Sequence, residues 1–470
     1  MLTLQDTQRR RILKAAAALG SASVMGPVGA QGKEFKIGLF IALSGPAALF
    51  GPTQRACADL AAEELNKAVV AAVFGLPTVL YLLVGFGDVG REQVLVTAED
   101  YFSFIVLLAA LFTVSGGIHL TGNLLGTPFT NTVFMMVGAV IASFIGTTGA
   151  AMLLVRPLLR ANSERRHTVH IFVFTIFVVC NIGGLLTPLG DPPLFLGFLN
   201  GVDFTWTFRL WPEWLLVNSV VIIVFFALDS WVYRTKERAF DKDMDLVDYE
   251  PLGVKGLLNV AFLAGVVLTV ALSTHINDVG AALHIPFLRE IIMIALLLLS
   301  LRVGSQEGRS LNQFTWAPIR EVAIIFAGIF AAMVPALALL EANGSALGLK
   351  EPWHFFWATG GLSSVLDNAP TYLSFTSAAL GYLGIDGNIG SLMAAQPTPP
   401  TGQIPADFLA AISLGAVFMG AMTYIGNAPN LMVKAIAEDR GVKMPSFFGY
   451  MLWSGGILVP LFVVMTFIWF

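Results

Sequence analysis

Charge is scarce in this chain of 470 residues. Asp, Glu, Lys and Arg make up 12% of it, against about 25% in a soluble domain. The net charge of −4 is small, and gives no basis for a nucleic-acid partner. Cysteine is nearly absent: Cys57 and Cys180 stand far apart in unrelated contexts, which excludes a disulfide framework and a thiolate metal site. No Gly-Lys-Ser/Thr phosphate loop occurs, so direct use of ATP is excluded. No nucleophile, metal cluster or cofactor loop has suitable spacing either. The reading is therefore not an enzyme, with no cofactor. Apolar residues fill the space: 56% of the chain, with a mean hydropathy of +0.76. Apolar runs throughout predict an all-α polytopic membrane protein, with the lipid bilayer as its main partner.

The head of the chain differs from the rest. Residues 1–30 carry Arg9-Arg10-Arg11-Ile12-Leu13-Lys14 and an Ala-rich stretch ending Val28-Gly29-Ala30, which resembles a twin-arginine export signal. Residues 31–68 run through Lys36-Ile37-Gly38-Leu39-Phe40 to Ser44-Gly45-Pro46, and then show a helical pattern. They resemble the opening strand and helix of a periplasmic amino-acid-binding protein, in which Ser44 would lie near the ligand. The rest of such a domain is missing, so no closed ligand site and no receptor function is expected from it.

From residue 69 on, spans are expected at about 69–87 and 101–120, 214–233, 256–274, 287–303 and 320–340. Residues 132–145 and 150–159 are apolar arms flanking Gly146-Thr147-Thr148-Gly149. At about 10–14 residues each is too short to span, and together they predict a re-entrant hairpin. The stretch 168–199 is apolar but broken at Asn181 to Pro193. The second half repeats the plan. Arms 353–366 and 371–380 flank Asp367-Asn368-Ala369-Pro370, and 407–437 is broken at Tyr424-Ile425-Gly426-Asn427-Ala428-Pro429-Asn430. The last span is 447–470, and 396–403 is an external loop. The expected organisation is a first repeat over 69–232, connecting loops and spans over 233–319, and a second repeat over 320–470.

Charge sets the orientation. Arg156, Arg160, Arg165 and Arg166 mark one cytoplasmic loop under the positive-inside rule. Counting forward, the loops with Arg234/Lys236/Arg238, Arg302/Arg309/Arg320 and Lys434/Arg440/Lys443 fall on the same side. An odd number of crossings then separates the repeats, which makes them inverted. The same count puts Lys67 inside, whereas an export signal would put residues 31–68 outside. The four agreeing loops carry the argument.

The breaks also make the sequence recognisable. The segment from Ile145-Gly146-Thr147-Thr148-Gly149 to Arg156-Pro157, with Asn181 to Pro193, Leu366 to Thr371 and Tyr424 to Lys434, resembles the NhaD-type sodium/proton antiporters. These belong to the wider ion-transporter superfamily of citrate, dicarboxylate and arsenite carriers. The resemblance covers residue 70 to the end. It implies a homodimer in a bacterial inner membrane, exchanging Na+ (or Li+) for H+. It also implies that one or more early helices are lost here.

Two acids stand inside these breaks, Asp191 and Asp367. An acid at membrane depth costs several kcal/mol unless it faces a cavity, a proton or a cation, and so marks a functional site. Thr147, Thr148, Asn181, Thr187, Asn368, Thr371, Asn427 and Asn430 add neutral oxygens, and broken helix ends are expected to add free backbone carbonyls. A carboxylate that binds either a proton or Na+ gives exchange directly. Asp367 ranks first as exchange site and Asp191 second. Helix capping is the competing role for both acids. A proton- or sodium-coupled citrate or dicarboxylate carrier is the alternative function. It would place half-helix N-termini against an anion.

Overall fold

The computed structural model describes residues 72–73, 75–85, 87–237, 250–397 and 401–470. The chain divides into Met1–Val69 and Val70–Phe470, and the second unit is the one described. The signal-like segment 1–30 and the fragment 31–68 lie outside the described residues.

After a short apolar helix, Gly75–Gly85, come α1 (Gly87–Ser115), α2 (Pro128–Ile145), α3 (Thr147–Ala161), α4 (Val169–Val178), α5 (Pro192–Leu199) and α6 (Trp211–Thr235). A middle section holds α7 (Leu257–Ala271), α8 (Ser273–Leu283), α9 (Leu288–Val303) and α10 (Gln306–Leu311). Then the first order recurs: α11 (Ala317–Ala342), α12 (Pro352–Ser363), α13 (Asn368–Leu383), α14 (Pro405–Met419), α15 (Ala428–Asp439) and α16 (Phe447–Trp469). Each half thus has a long helix, a hairpin of two helices, a broken helix and a closing span. Among the described residues six helices are long and apolar enough to cross a membrane, or seven if α7 and α8, bent by 76°, count as one. This is an all-α polytopic membrane protein.

Hairpin 1 is α2 and α3, joined at Gly146, whose φ of 84° suits glycine. Its first arm is longer than the sequence suggested, because Thr127 accepts a hydrogen bond from the Thr130 amide and Pro128 fills the first helical position. That N-terminal cap moves the start from residue 132 to 128. Hairpin 2 is α12 and α13. The two hairpins exchange partners: α3 packs on α15, and α13 packs on α5. Each second arm therefore rests on the second part of the other half's broken helix.

The first parts of the broken helices form the centre. Every residue of α4 except Val169 is buried, and so are most of α14. Runs such as Ile171-Phe172-Val173-Phe174 are apolar on all sides, which suits a helix surrounded by others. By contrast α16 exposes Phe448, Leu452 and Phe467, a surface matched to lipid. The breaks need glycine where two turns cross. A Cβ on Gly190 would lie 2.0 Å from the Gly184 carbonyl oxygen, and one on Gly426 2.6 Å from that of Gly420.

The sheet is a short ladder not foreseen from sequence, β1 (His119–Asn123) antiparallel to β2 (Glu250–Lys255). It joins the link after α1 to the loop before α7. Asn312 adds hydrogen bonds to the Gly116 and Ile118 carbonyls, Arg156 donates to Gln313, and Lys255 pairs with Glu307. The Arg156–Gln313 contact brings together two of the segments that the charge pattern assigned to one side of the membrane.

Candidate functional site

All four breaks meet at the Asp191 carboxylate. Thr147, the first residue of α3, donates its hydroxyl to Asp191 Oδ1 at 3.1 Å. Asn427, at the N-terminus of α15, donates Nδ2 to the same oxygen at 3.0 Å. Asn368, the first residue of α13, donates Nδ2 to Oδ2 at 2.5 Å. Asp191 itself precedes α5. Its side chain is 1% exposed. The Thr147 amide also binds the Gly190 carbonyl at 2.9 Å, which pins the tip of hairpin 1 to the break.

Asp191 and Asn427 are structural twins. Both have extended backbone, with φ near −143° and −151°, both stand one residue before a broken helix resumes, and neither side chain caps its own helix. Freed from capping, the two side chains face each other. Asp367 differs. Its carboxylate accepts from the Ala369 amide at 3.0 Å and caps α13, and the residue is only half-buried. Geometry separates the two acids. The capping role belongs to Asp367, and the convergence point is Asp191.

The remaining candidates hold the breaks in shape. Asn181 donates to the Ile176 carbonyl and to Asn430 Oδ1, both at 2.8 Å, and its own Oδ1 lies 3.3 Å from Asn427 Nδ2. Asn430 donates to the Gly420 and Thr423 carbonyls. Thr187 donates to the Ser143 carbonyl, and Thr371 to the Asp367 carbonyl one turn back. Thr148 is half-buried and outside this set.

The expected free carbonyls are mostly taken by side chains. Ser143 donates to Gly183, Ser363 to Ala416, Thr423 to Ser364, and Asn427 to Cys180. Buried carbonyls need partners, and hydroxyls and amides nearby supply them. Sequence reading missed Ser143, Ser363 and Thr423. Thr423 had a signal, since it stands four residues before Asn427 as Thr187 stands before Asp191.

The electrostatics follow from helix direction. α3, α5, α13 and α15 all start at the Asp191 carboxylate. A helix N-terminus carries roughly half a positive charge, and each stabilises a nearby anion by about 0.3–1 kcal/mol or somewhat more when buried. Among the described residues the carboxylate receives hydrogen bonds from neutral side chains only, and no group of His, Cys, Asp and Glu is placed to hold a metal ion.

Paired half-helices starting at one buried acid, in a chain of this hydropathy, are the layout of a carrier, and comparison of the whole chain agrees. A family model described as "Putative citrate transport" (CitMHS_2) matches residues 56–470. The chain belongs to this citrate-transport family. The match begins inside the segment 31–68. The chain is also similar to two proteins named as uncharacterized transporters, from Mycobacterium bovis and Mycobacterium tuberculosis. Each is 23% identical over 412 residues, spanning 82% of this chain and 89% of the relative. This member of the family is a secondary transporter and not an enzyme.

Proposed function

We propose that the chain carries citrate or a related di- or tricarboxylate across the membrane together with protons, and that Asp191 holds the coupling proton. The observation that carries this reading is the convergence of four helix N-termini and three neutral donors on one buried carboxylate. When Asp191 is ionised, its own charge satisfies those donors. When it is protonated, the Thr147 hydroxyl, the Asn368 and Asn427 amides and the helix ends lose their anion. A substrate carboxylate can then take their hydrogen bonds. Proton and anion are favoured together, since the site accommodates one negative charge at a time. The family description supports carboxylate cargo.

The test is uptake of labelled citrate into vesicles. Asp191→Asn mimics the neutral acid. We expect it to exchange citrate across the membrane at equal concentrations and to lose accumulation driven by a proton gradient. Gradient-driven accumulation by this variant would sink the proposal.

A second reading, exchange of Na+ (or Li+) for H+, draws on the same acid. Among the described residues no basic side chain neutralises Asp191, and the Thr147 hydroxyl with the turned amides of Asn368 and Asn427 would offer oxygens to a small cation. Collapse of an imposed proton gradient by Na+ in the absence of any carboxylate would favour this reading over the first.

A further inference from the structure

The arginine-rich face holds a cavity of about 810 Å³ that the Asp191 site does not use. Six cationic side chains line it, Arg156, Arg160, Arg165, Arg166, Arg440 and Lys443, and among the described residues no carboxylate does. They come from the second arm of hairpin 1, the turn that follows it, and the turn after α15. Under the positive-inside rule this is the cytoplasmic face.

The state of these charges is informative. Arg165 is neutralised by Asp229. Arg156 is not: one of its nitrogens donates to the neutral Gln313 at 3.0 Å, and Nη1 is buried without an acceptor. Among the described residues Arg160 donates to the Leu120 and Gly122 carbonyls and to no carboxylate. Arg440 repels both of them. Asp439 and Glu250 act on Arg156 and Arg160 from outside the cavity wall. Arg160 and Arg440 end α3 and α15, where cations are favoured. Topology and helix ends thus account for cations on this face. They do not account for a concave space walled by mutually repelling guanidinium groups with a buried donor left over.

We propose that this cavity binds a small soluble oxyanion carrying two or three negative charges, of the di- or tricarboxylate or phosphate class. Guanidinium groups match carboxylate and phosphate oxygens in pairs. The volume falls within the range of small-molecule pockets, about 300–1,000 Å³, and Leu159, Phe172 and Leu311 offer apolar wall to a carbon skeleton. The site is separate from the coupling acid. Arg156 lies nine residues along α3 from Thr147, or about 13 Å of helix.

The test follows thermal unfolding of the full chain in detergent as citrate, phosphate or acetate is added at fixed ionic strength. Citrate and phosphate are expected to raise Tm saturably, and acetate is not. The Arg156→Gln/Arg160→Gln double variant and, separately, Arg440→Gln should need about tenfold more citrate for the same shift. Arg234→Gln, on the same face outside the cavity, should stay within about twofold of the parent. Because gradient-driven uptake by Asp191→Asn tests the coupling reading and the arginine variants test this one, either can fail alone. Equal shifts with acetate, or arginine variants that behave like the parent, would overturn the proposal and leave topology anchors only. Stabilisation by cardiolipin in nanodiscs with none by citrate or phosphate would also overturn it, assigning the cavity to a lipid headgroup.

Discussion

Asn368 and Asp191 are 177 positions apart and share a 2.5 Å hydrogen bond between the tip of one half's hairpin and the broken helix of the other. Thr147 and Asn427 complete the set. Removing any one donor leaves the buried carboxylate short of a partner, a loss of about 1–3 kcal/mol. Asn368→Ala and Asn427→Ala are each expected to lower the apparent affinity for the transported carboxylate by about tenfold or more, in line with that figure. Thr147→Val should do the same less strongly. Concentration dependence of uptake in vesicles measures all three, and a Thr147→Ser variant should recover most of the loss.

The two acids should separate cleanly by assay. Asp367→Ala removes a helix cap and is expected to lower stability by about 0.5–2 kcal/mol, with gradient-driven uptake retained. Asp191→Asn should leave Tm close to the parent's and abolish coupling. Unfolding in mild detergent and uptake, run in parallel, distinguish them. Loss of coupling in Asp367→Ala with normal stability would return the coupling role to that residue.

Glycine-to-alanine changes give an opposed pair. At Gly190 the added methyl meets the Gly184 backbone 2.0 Å away, which cannot yield without opening the break. The expected result is a fall of about 1–3 kcal/mol or more together with loss of transport. At Gly456, within α16, nothing lies within 4 Å. There alanine should stabilise by about 0.5–1 kcal/mol. Tm of the two purified variants checks both signs.

A second buried acid has a structural task. Asp229 is fully buried and paired with Arg165. It also takes hydrogen bonds from Asn131 at 2.9 Å and contacts His170 Nε2 at 2.9 Å. Asp229→Leu strands the arginine, with Glu237 3.8 Å away as its remaining carboxylate. The expected loss is about 3–5 kcal/mol. The paired change Arg165→Met with Asp229→Leu should recover most of it, since no charge is then left uncompensated. A double-mutant cycle on Tm reads the coupling directly.

The location of the site was legible in the sequence because its signals are local. Gly146, the Pro188 to Pro193 run, Pro370 and Pro429 interrupt apolar stretches, and an interruption needs no distant partner to be noticed. The difference in geometry between Asp191 and Asp367 was not legible. Both acids precede a resuming helix, and the difference lies in where each side chain turns. Asp367 finds an acceptor role two residues on, whereas Asp191 is drawn away by donors 44, 177 and 236 positions distant. The fate of the break carbonyls was hidden for the same reason, since Ser143 and Gly183 meet only after the hairpin has folded onto the broken helix. The β1–β2 ladder was missed because His119-Leu120-Thr121-Gly122-Asn123 shows too little alternation to read as a strand.

The division of the Asp191 donors between halves bears on how the molecule is made. A nascent chain that has emerged only through α6 already contains the acid and Thr147, while Asn368 and Asn427 are still to be synthesised. For that interval a carboxyl group lies at membrane depth with one of its three side-chain donors. Folding of the second half then supplies the two amides that complete the set. Assembly of the two halves and completion of the Asp191 site are in this sense one event.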